Sequence, residues 1–230
     1  MFRTFRGGLL IGLAVAALVA VSAIVYEFYD TRTLKRTVRR GEVYCGVNKG
    51  LPGFSIPDDK GNWTGFDVDF CRAVAAAIFD DPNKAKFIPL DANERFKELQ
   101  SRKVDILSRN STWNLSREEN YDLYFPAVAY YDGQGFMLPR SRNIDNALSL
   151  DGSKVCVQAS TTTALNLADY FKANNMKYEE MKFPQLDQAV KAYQDGKCDT
   201  FTADISQLYA LRLTMPKPDD NVILPDVISK

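Results

Sequence analysis

From residue 42 onward, short apolar runs alternate with stretches whose apolar positions recur every three to four residues. The runs at 43–47, 86–90 and 104–107 read as strands. The stretches at 67–79 and 93–102 read as helices; in the first, Phe70, Val74, Ala77 and Ile78 share one helical face. A second series follows, with strands at 154–158, 178–183, 199–203 and 222–224. Its helices fall at 163–174, 186–195 and 205–213. Such alternation predicts an α/β protein with parallel sheets, and two series predict two lobes.

The two series echo each other. FKELQSRKVDILSRN (96–110) aligns with VKAYQDGKCDTFTAD (190–204), with Lys97/Lys191, Gln100/Gln194, Lys103/Lys197 and Asp105/Asp199 identical. Both pass from helix through a short turn to Lys-x-Asp at the start of a strand. The register places Asn110 and Asp204 at equivalent points, just past the carboxyl ends of equivalent strands. Ligands of open α/β sheets sit at that edge, and two such edges facing each other make a cleft.

Ahead of this pattern stands a segment of different character. Arg3 and Arg6 precede an uncharged apolar run over 8–25, with small residues at Val21, Ser22 and Ala23. It reads as a secretory signal ending near Ala23 or as a retained N-terminal anchor. Residues 24–40 follow as a linker or first helix, whose basic stretch RTLKRTVRR (32–40) is solvated or, with an anchor retained, rests near a membrane surface. The chain carries 29 basic and 29 acidic residues; without Arg3 and Arg6 the balance is 27 to 29. A near-neutral exported domain has no bulk attraction to nucleic acid.

Four cysteines, Cys45, Cys71, Cys156 and Cys198, suggest two disulfides in an oxidising compartment, and their spacing does not resemble a zinc site. Of three pairings, Cys45–Cys71 and Cys156–Cys198 are favoured because each stays within one half of the chain; buried free thiols are the alternative. The chain has no histidine. That removes Ser-His-Asp and Cys-His catalysis and the commonest transition-metal ligand. Neither a metal nor a cofactor is expected.

The strand ends supply candidate chemistry. Ser160, Thr161, Thr162 and Thr163 run directly into a helix. One hydroxyl there is capping by default; four in a row also suit an anion, which the helix N-terminus attracts. Arg117 follows a polar strand-end loop. A lone arginine is ordinarily a solvated surface residue, but its planar fork matches a carboxylate. Asp204 stands where an N-cap of helix 205–213 would stand, and its carboxylate can also accept a ligand ammonium. A cation with hydroxyls opposite a carboxylate suits a zwitterion, that is, an amino acid.

Several stretches together resemble the periplasmic solute-binding proteins of polar amino-acid ABC importers (family 3 type), across nearly all of 41–230. They are Gly-x-Val-x-Cys-Gly-Val-Asn (41–48), Gly53-Phe54-Ser55 and Trp-Thr-Gly-Phe-Asp-Val-Asp-Phe (63–70). Asn-Ser-Thr-Trp-x-x-Ser-Arg (110–117), Tyr-Tyr-Asp-Gly-Gln-Gly-Phe (130–136) and Thr202-Ala203-Asp204 complete the set. The likeness is to the general L-amino-acid-binding subgroup. It implies a two-lobed, type II periplasmic-binding-protein fold, each lobe a parallel-type sheet flanked by helices, with lobe 1 at 41–132 and lobe 2 at 133–225. It further implies an exported, monomeric, periplasmic binding protein that is not an enzyme, captures L-amino acids broadly and delivers them to a membrane permease. Arg117, Thr161 and Thr162 would hold the α-carboxylate and Asp204 the α-ammonium. Thr112 and Asn110 would add hydrogen bonds, Phe54 would line the side-chain pocket, and Asn48 would stand nearby. Gly65, Phe66 and Asp67 shape the fold, and Trp63 serves either as pocket wall or as packing.

The chain departs from the family at three places. Asn114 replaces a usual threonine, Ser160 replaces a glycine whose backbone can take positive φ, and 226–230 reads as the start of a return crossing into lobe 1 that is cut short. Closure is expected about a hinge at 132–140. Two other readings remain open: a membrane-tethered amino-acid sensor, and a dehydratase on the same scaffold, which the absence of histidine disfavours.

Overall fold

A computed structural model describes residues 14–22 and 32–229. Residues 14–22 form a helix, α1; the expected cleavage position at Ala23 and most of the expected signal or anchor lie outside the described residues. Among the described residues no helix is long and apolar enough to cross a membrane. The basic stretch is a helix, α2 (Arg32–Arg40). Two of its charges turn inward: Arg36 donates to Asp105 Oδ1 at 2.7 Å, and Arg40 pairs with Asp105 Oδ2 while stacking on the Tyr44 ring.

The first lobe is built on β1 (Val43–Asn48), the hairpin β2 (Ile56–Pro57) and β3 (Trp63–Thr64), and α3 (Phe66–Phe79). β4 (Ala85–Leu90), α4 (Arg95–Gln100), β5 (Ile106–Leu107) and α5 (Leu115–Tyr121) follow. Its sheet is parallel, in the order β4-β1-β5. Val43, Cys45, Val47, Cys71 and Ala75 form one buried cluster, Leu51, Val68, Leu90 and Val104 are buried as well, and the Cys45–Cys71 disulfide ties β1 to α3 across a Cα separation of 6.2 Å. Trp63 packs against this cluster, its ring 6.2 Å from that of Phe87. Gly65 opens α3 at φ 121°, and a Cβ there would lie 2.4 Å from the Phe54 carbonyl oxygen. Only glycine fits that approach, which lets Asp67 N–H donate to the same carbonyl at 2.9 Å.

The second lobe holds β6 (Gln134–Pro139), β7 (Ser153–Gln158), α6 (Thr162–Ala173), β8 (Tyr178–Phe183) and α7 (Leu186–Gln194), then β9 (Thr200–Asp204), α8 (Ile205–Leu213) and β10 (Asn221–Ile223). The sheet order is β10-β6-β9-β7-β8. Side chains alternate across it: Phe136, Leu138, Val155 and Val157 join α6 residues on one face, and Met137, Cys156 and Phe201 join α7 and α8 residues on the other. Both faces are covered, so both are apolar. The second disulfide, Cys156–Cys198, bridges β7 and the turn before β9. Both pairs are those favoured on sequence grounds.

Two expectations change. The sheet is mixed, because β6 and β10 run antiparallel to their neighbours. The expected hinge at 132–140 is mostly β6, a buried interior strand between β10 and β9. Its apolar run, bounded by glycine and proline, buries on both faces and therefore shows no period-2 pattern. The irregular stretch between the lobes is 123–133. Residues 226–229 lie antiparallel beside the start of β6, with Gln134 N–H donating to the Ser229 carbonyl at 2.8 Å.

The echoed aspartates do one job in both lobes. Asp105 N–H donates to the Tyr44 carbonyl at 2.7 Å, and its carboxylate accepts Tyr44 N–H at 2.9 Å. Asp199 repeats this with Lys154, at 2.8 and 2.7 Å. Each ties the start of one parallel strand to the start of its neighbour, and each also meets arginine: Arg36 and Arg40 at Asp105, Arg142 at Asp199.

Candidate ligand-binding cleft

The carboxyl ends of the two sheets face each other around a space of about 280 Å³, mouth included. Arg117, Thr112, Asn110, Thr161, Thr162 and Asp204 all line it. Asn48 stands directly behind, donating from Nδ2 to Asn110 Oδ1 at 3.0 Å. Phe54 is not among the lining residues; its ring packs edge-on against Phe66 and Tyr130.

Arg117 occupies the third position of α5. The Asn114 side chain caps that helix by accepting the Arg117 N–H at 2.9 Å, so asparagine does here what a threonine would do. The guanidinium is buried, donates to the Thr112 carbonyl at 2.5 Å and lies 5.0 Å over the Phe96 ring. Burial lowers its pKa, and Asp204 acts against that.

Across the cleft, the hydroxyl run divides its labour. Thr161 is the N-cap of α6: its Oγ1 accepts Ala164 N–H at 3.3 Å and donates to the Gln158 carbonyl at 2.7 Å. Ser160 sits in the left-handed region at φ 60°, the conformation that favours glycine. Thr162 reaches across to Thr112, their hydroxyl oxygens 2.9 Å apart. A second link joins Asn110 Nδ2 to Gln207 Oε1 of α8 at 3.0 Å. The two edges are thus in direct contact.

Asp204 is positioned as the N-cap of α8 but makes no capping hydrogen bond. Asp132 does that work instead, accepting from Ser206 N–H and hydroxyl. The Asp204 carboxylate is left facing the cleft. Burial first, then the charge of Asp132, pushes its pKa up to about 6, against the pull of Arg95 and Arg117.

Three lining residues escaped sequence reasoning. Gln207 shows no signal, as one polar position of a helix. Arg109 lay within the polar loop at 108–117 without a role of its own; it donates to the Leu90 carbonyl at 2.6 Å, and burial lowers its pKa to about 10 while Asp67 opposes the shift. Asp67, beside it, is raised to about 6 by burial. Arg95 opens α4, is only 2 % exposed, and lies 4.7 Å over the same Phe96 ring as Arg117. Among the described residues no group of histidine, cysteine, aspartate and glutamate could hold a metal ion.

Known proteins share this architecture. The chain is 51 % identical over 218 residues to the general L-amino acid-binding periplasmic protein AapJ of Rhizobium johnstonii, covering 95 % of this chain and 64 % of that protein. It is 47 % identical over 212 residues to the glutamate/glutamine/aspartate/asparagine-binding protein BztA of Rhodobacter capsulatus, covering 92 % and 63 %. The chain therefore spans less than two thirds of the length of these relatives. A periplasmic binding protein from Brucella ovis with glutathione bound superposes with a TM-score of 0.84 at 54 % identity, over 86 % of this chain and 62 % of that one. The model of the bacterial extracellular solute-binding proteins, family 3, matches residues 43–209, most of both lobes and the whole of the cleft's lining, and the chain belongs to that family.

Proposed function

We propose that the protein is the extracytoplasmic receptor of an amino-acid ABC importer, capturing free L-amino acids in the cleft by lobe closure and presenting them to a membrane permease. The observation that carries this reading is the free carboxylate of Asp204, released from helix capping by Asp132, opposite the buried guanidinium of Arg117. A zwitterion with adjacent ammonium and carboxylate satisfies both. Arg117 takes the α-carboxylate, with Thr112, Thr161 and Thr162 as hydroxyl partners; Asp204 takes the α-ammonium, with Asn110 beside it. Asn48 orients Asn110 from behind. The direct contacts between the edges support a cleft that closes fully over a small ligand. The names of the relatives agree with amino acids as the ligand class. The same reading places the protein in the periplasm, as a monomer, without cofactor and without catalysis.

Titration calorimetry with a panel of L-amino acids and glutathione tests it. Binding to the native chain is expected, with Arg117→Ala weakening it at least a hundredfold, about the loss for removing one side of a buried charged pair. Because Asp204 titrates near 6, its carboxylate is protonated below that pH, and affinity is expected to fall by up to about tenfold per pH unit there. No heat with any amino acid from a folded protein would sink the proposal.

A further inference from the structure

The cleft holds three guanidiniums, and two of them have hydrogen-bond acceptors in the protein. Arg109 donates to the Leu90 carbonyl and is countered by Asp67. Arg117 donates to the Thr112 carbonyl and is countered by Asp204. Arg95 differs. Among the described residues it forms no hydrogen bond and no ion pair, and its Nε is wholly shielded from solvent without a partner. It nevertheless lines the cleft. Asp132 does not answer it, since that carboxylate is occupied by Ser206 and the Gly133 N–H.

A buried guanidinium without an acceptor is strongly disfavoured unless something supplies one. The site already described leaves that acceptor to the ligand. With the α-carboxylate on Arg117 and the α-ammonium on Asp204, a ligand with an apolar side chain brings Arg95 nothing. A second carboxylate on the side chain brings a charge-matched, two-pronged acceptor. Both guanidinium carbons, of Arg95 and Arg117, lie within 5.0 Å of the centroid of the one ring Phe96. Both guanidiniums also line the one small cleft, so a single ligand held there meets both.

We propose that Arg95 is a specificity-determining residue that receives the side-chain carboxylate of an acidic amino acid, so that aspartate and glutamate are preferred within a broader amino-acid range. This rests on the amino-acid reading above and deepens it. The side-chain amides of glutamine and asparagine offer Arg95 one neutral oxygen and bind more weakly.

The test is calorimetry on the full chain at neutral pH with L-glutamate, L-aspartate, L-glutamine and L-alanine. In the native protein, glutamate is expected to bind roughly tenfold or more tightly than glutamine, the difference between a charge-assisted and a neutral hydrogen bond. Arg95→Gln is expected to weaken glutamate and aspartate by about ten- to a hundredfold while changing alanine by less than about threefold, and Arg95→Lys to recover part of the loss. Native protein that binds glutamine as tightly as glutamate overturns the proposal, as does an Arg95→Gln variant that loses alanine in step with glutamate. In either case the amino-acid reading survives; failure of the native protein to bind any of the four removes both. Should Arg95→Gln not fold, the native glutamate-to-glutamine ratio decides alone.

Discussion

The two lobes solve the same problem with different resources. The second buries both faces of a five-stranded sheet under helices, with large side chains such as Phe136, Phe171 and Phe201 fully enclosed. The first has three strands and fewer large buried apolar side chains, with Leu51, Leu90 and Phe96 the largest. Both lobes carry a disulfide and an aspartate clamp, but the first lobe's clamp is buried and doubly paired, Asp105 meeting Arg36, Arg40 and Tyr44 N–H where Asp199 meets Arg142 and Lys154 N–H. That lobe also supplies every guanidinium of the cleft, while the better-packed lobe supplies the lone carboxylate and the hydroxyl run. The lobe that carries the cleft's cations thus also carries the more deeply buried ionic clamp.

The strongest way to break this comparison is to remove the bridges one at a time. Replacing Cys45 and Cys71 by serine is expected to cost about 3–4 kcal/mol. Both tryptophans, Trp63 and Trp113, lie in the first-lobe segment, so fluorescence during urea unfolding follows that lobe while circular dichroism follows both. The fluorescence transition should shift ahead of the dichroism transition. An equal shift in fluorescence on replacing Cys156 and Cys198 would show that the lobes unfold as one unit.

The echoed aspartates sharpen the contrast at matched positions. Asp105→Ala strands Arg36, Arg40 and a backbone N–H and is expected to cost about 2–3 kcal/mol, against about 1 kcal/mol for Asp199→Ala, whose carboxylate is a third exposed and meets one arginine. Burial opposes the ionisation of Asp105, but hydrogen bonds from Arg36, Tyr44 N–H and Arg40 outweigh it and hold its pKa below the usual carboxylate range. The stability it contributes is therefore fully present above the unfolded-state pKa and is lost as pH falls through the lower folded one. Acid titration of the native protein and of Asp105→Asn, followed by tryptophan fluorescence, checks the sign: the variant should lose less stability on acidification.

The smallest expected effect lies in the second lobe. Ser160 at φ 60° carries left-handed strain that glycine lacks, so Ser160→Gly should raise stability by about 0.5–1 kcal/mol, read from the urea midpoint. A lowered midpoint would mean that the serine side chain contributes more than its backbone costs.

Much of this molecule is legible along the chain. The helix at 186–195 follows from local periodicity alone, because its buried residues Ala189, Ala192 and Tyr193 recur at helical spacing. The duplicated Lys-x-Asp turn pointed to equivalent strand ends, and those ends face each other. Strand β6 was missed because a strand buried on both faces has no alternation to read. The helix holding Arg117 was missed because seven residues are too few to show a period.

The sequence by itself determined the α/β class, the half-by-half cysteine pairing and a polar set of zwitterion type, since these depend on residue identity and near neighbours. Only the tertiary structure decided that Asp132, rather than Asp204, caps α8, and that Arg95 enters the cleft wall without a hydrogen-bond acceptor. Both depend on which distant groups share a buried space, where a charge seeks whatever acceptor lies within reach, and no spacing along the chain encodes that proximity.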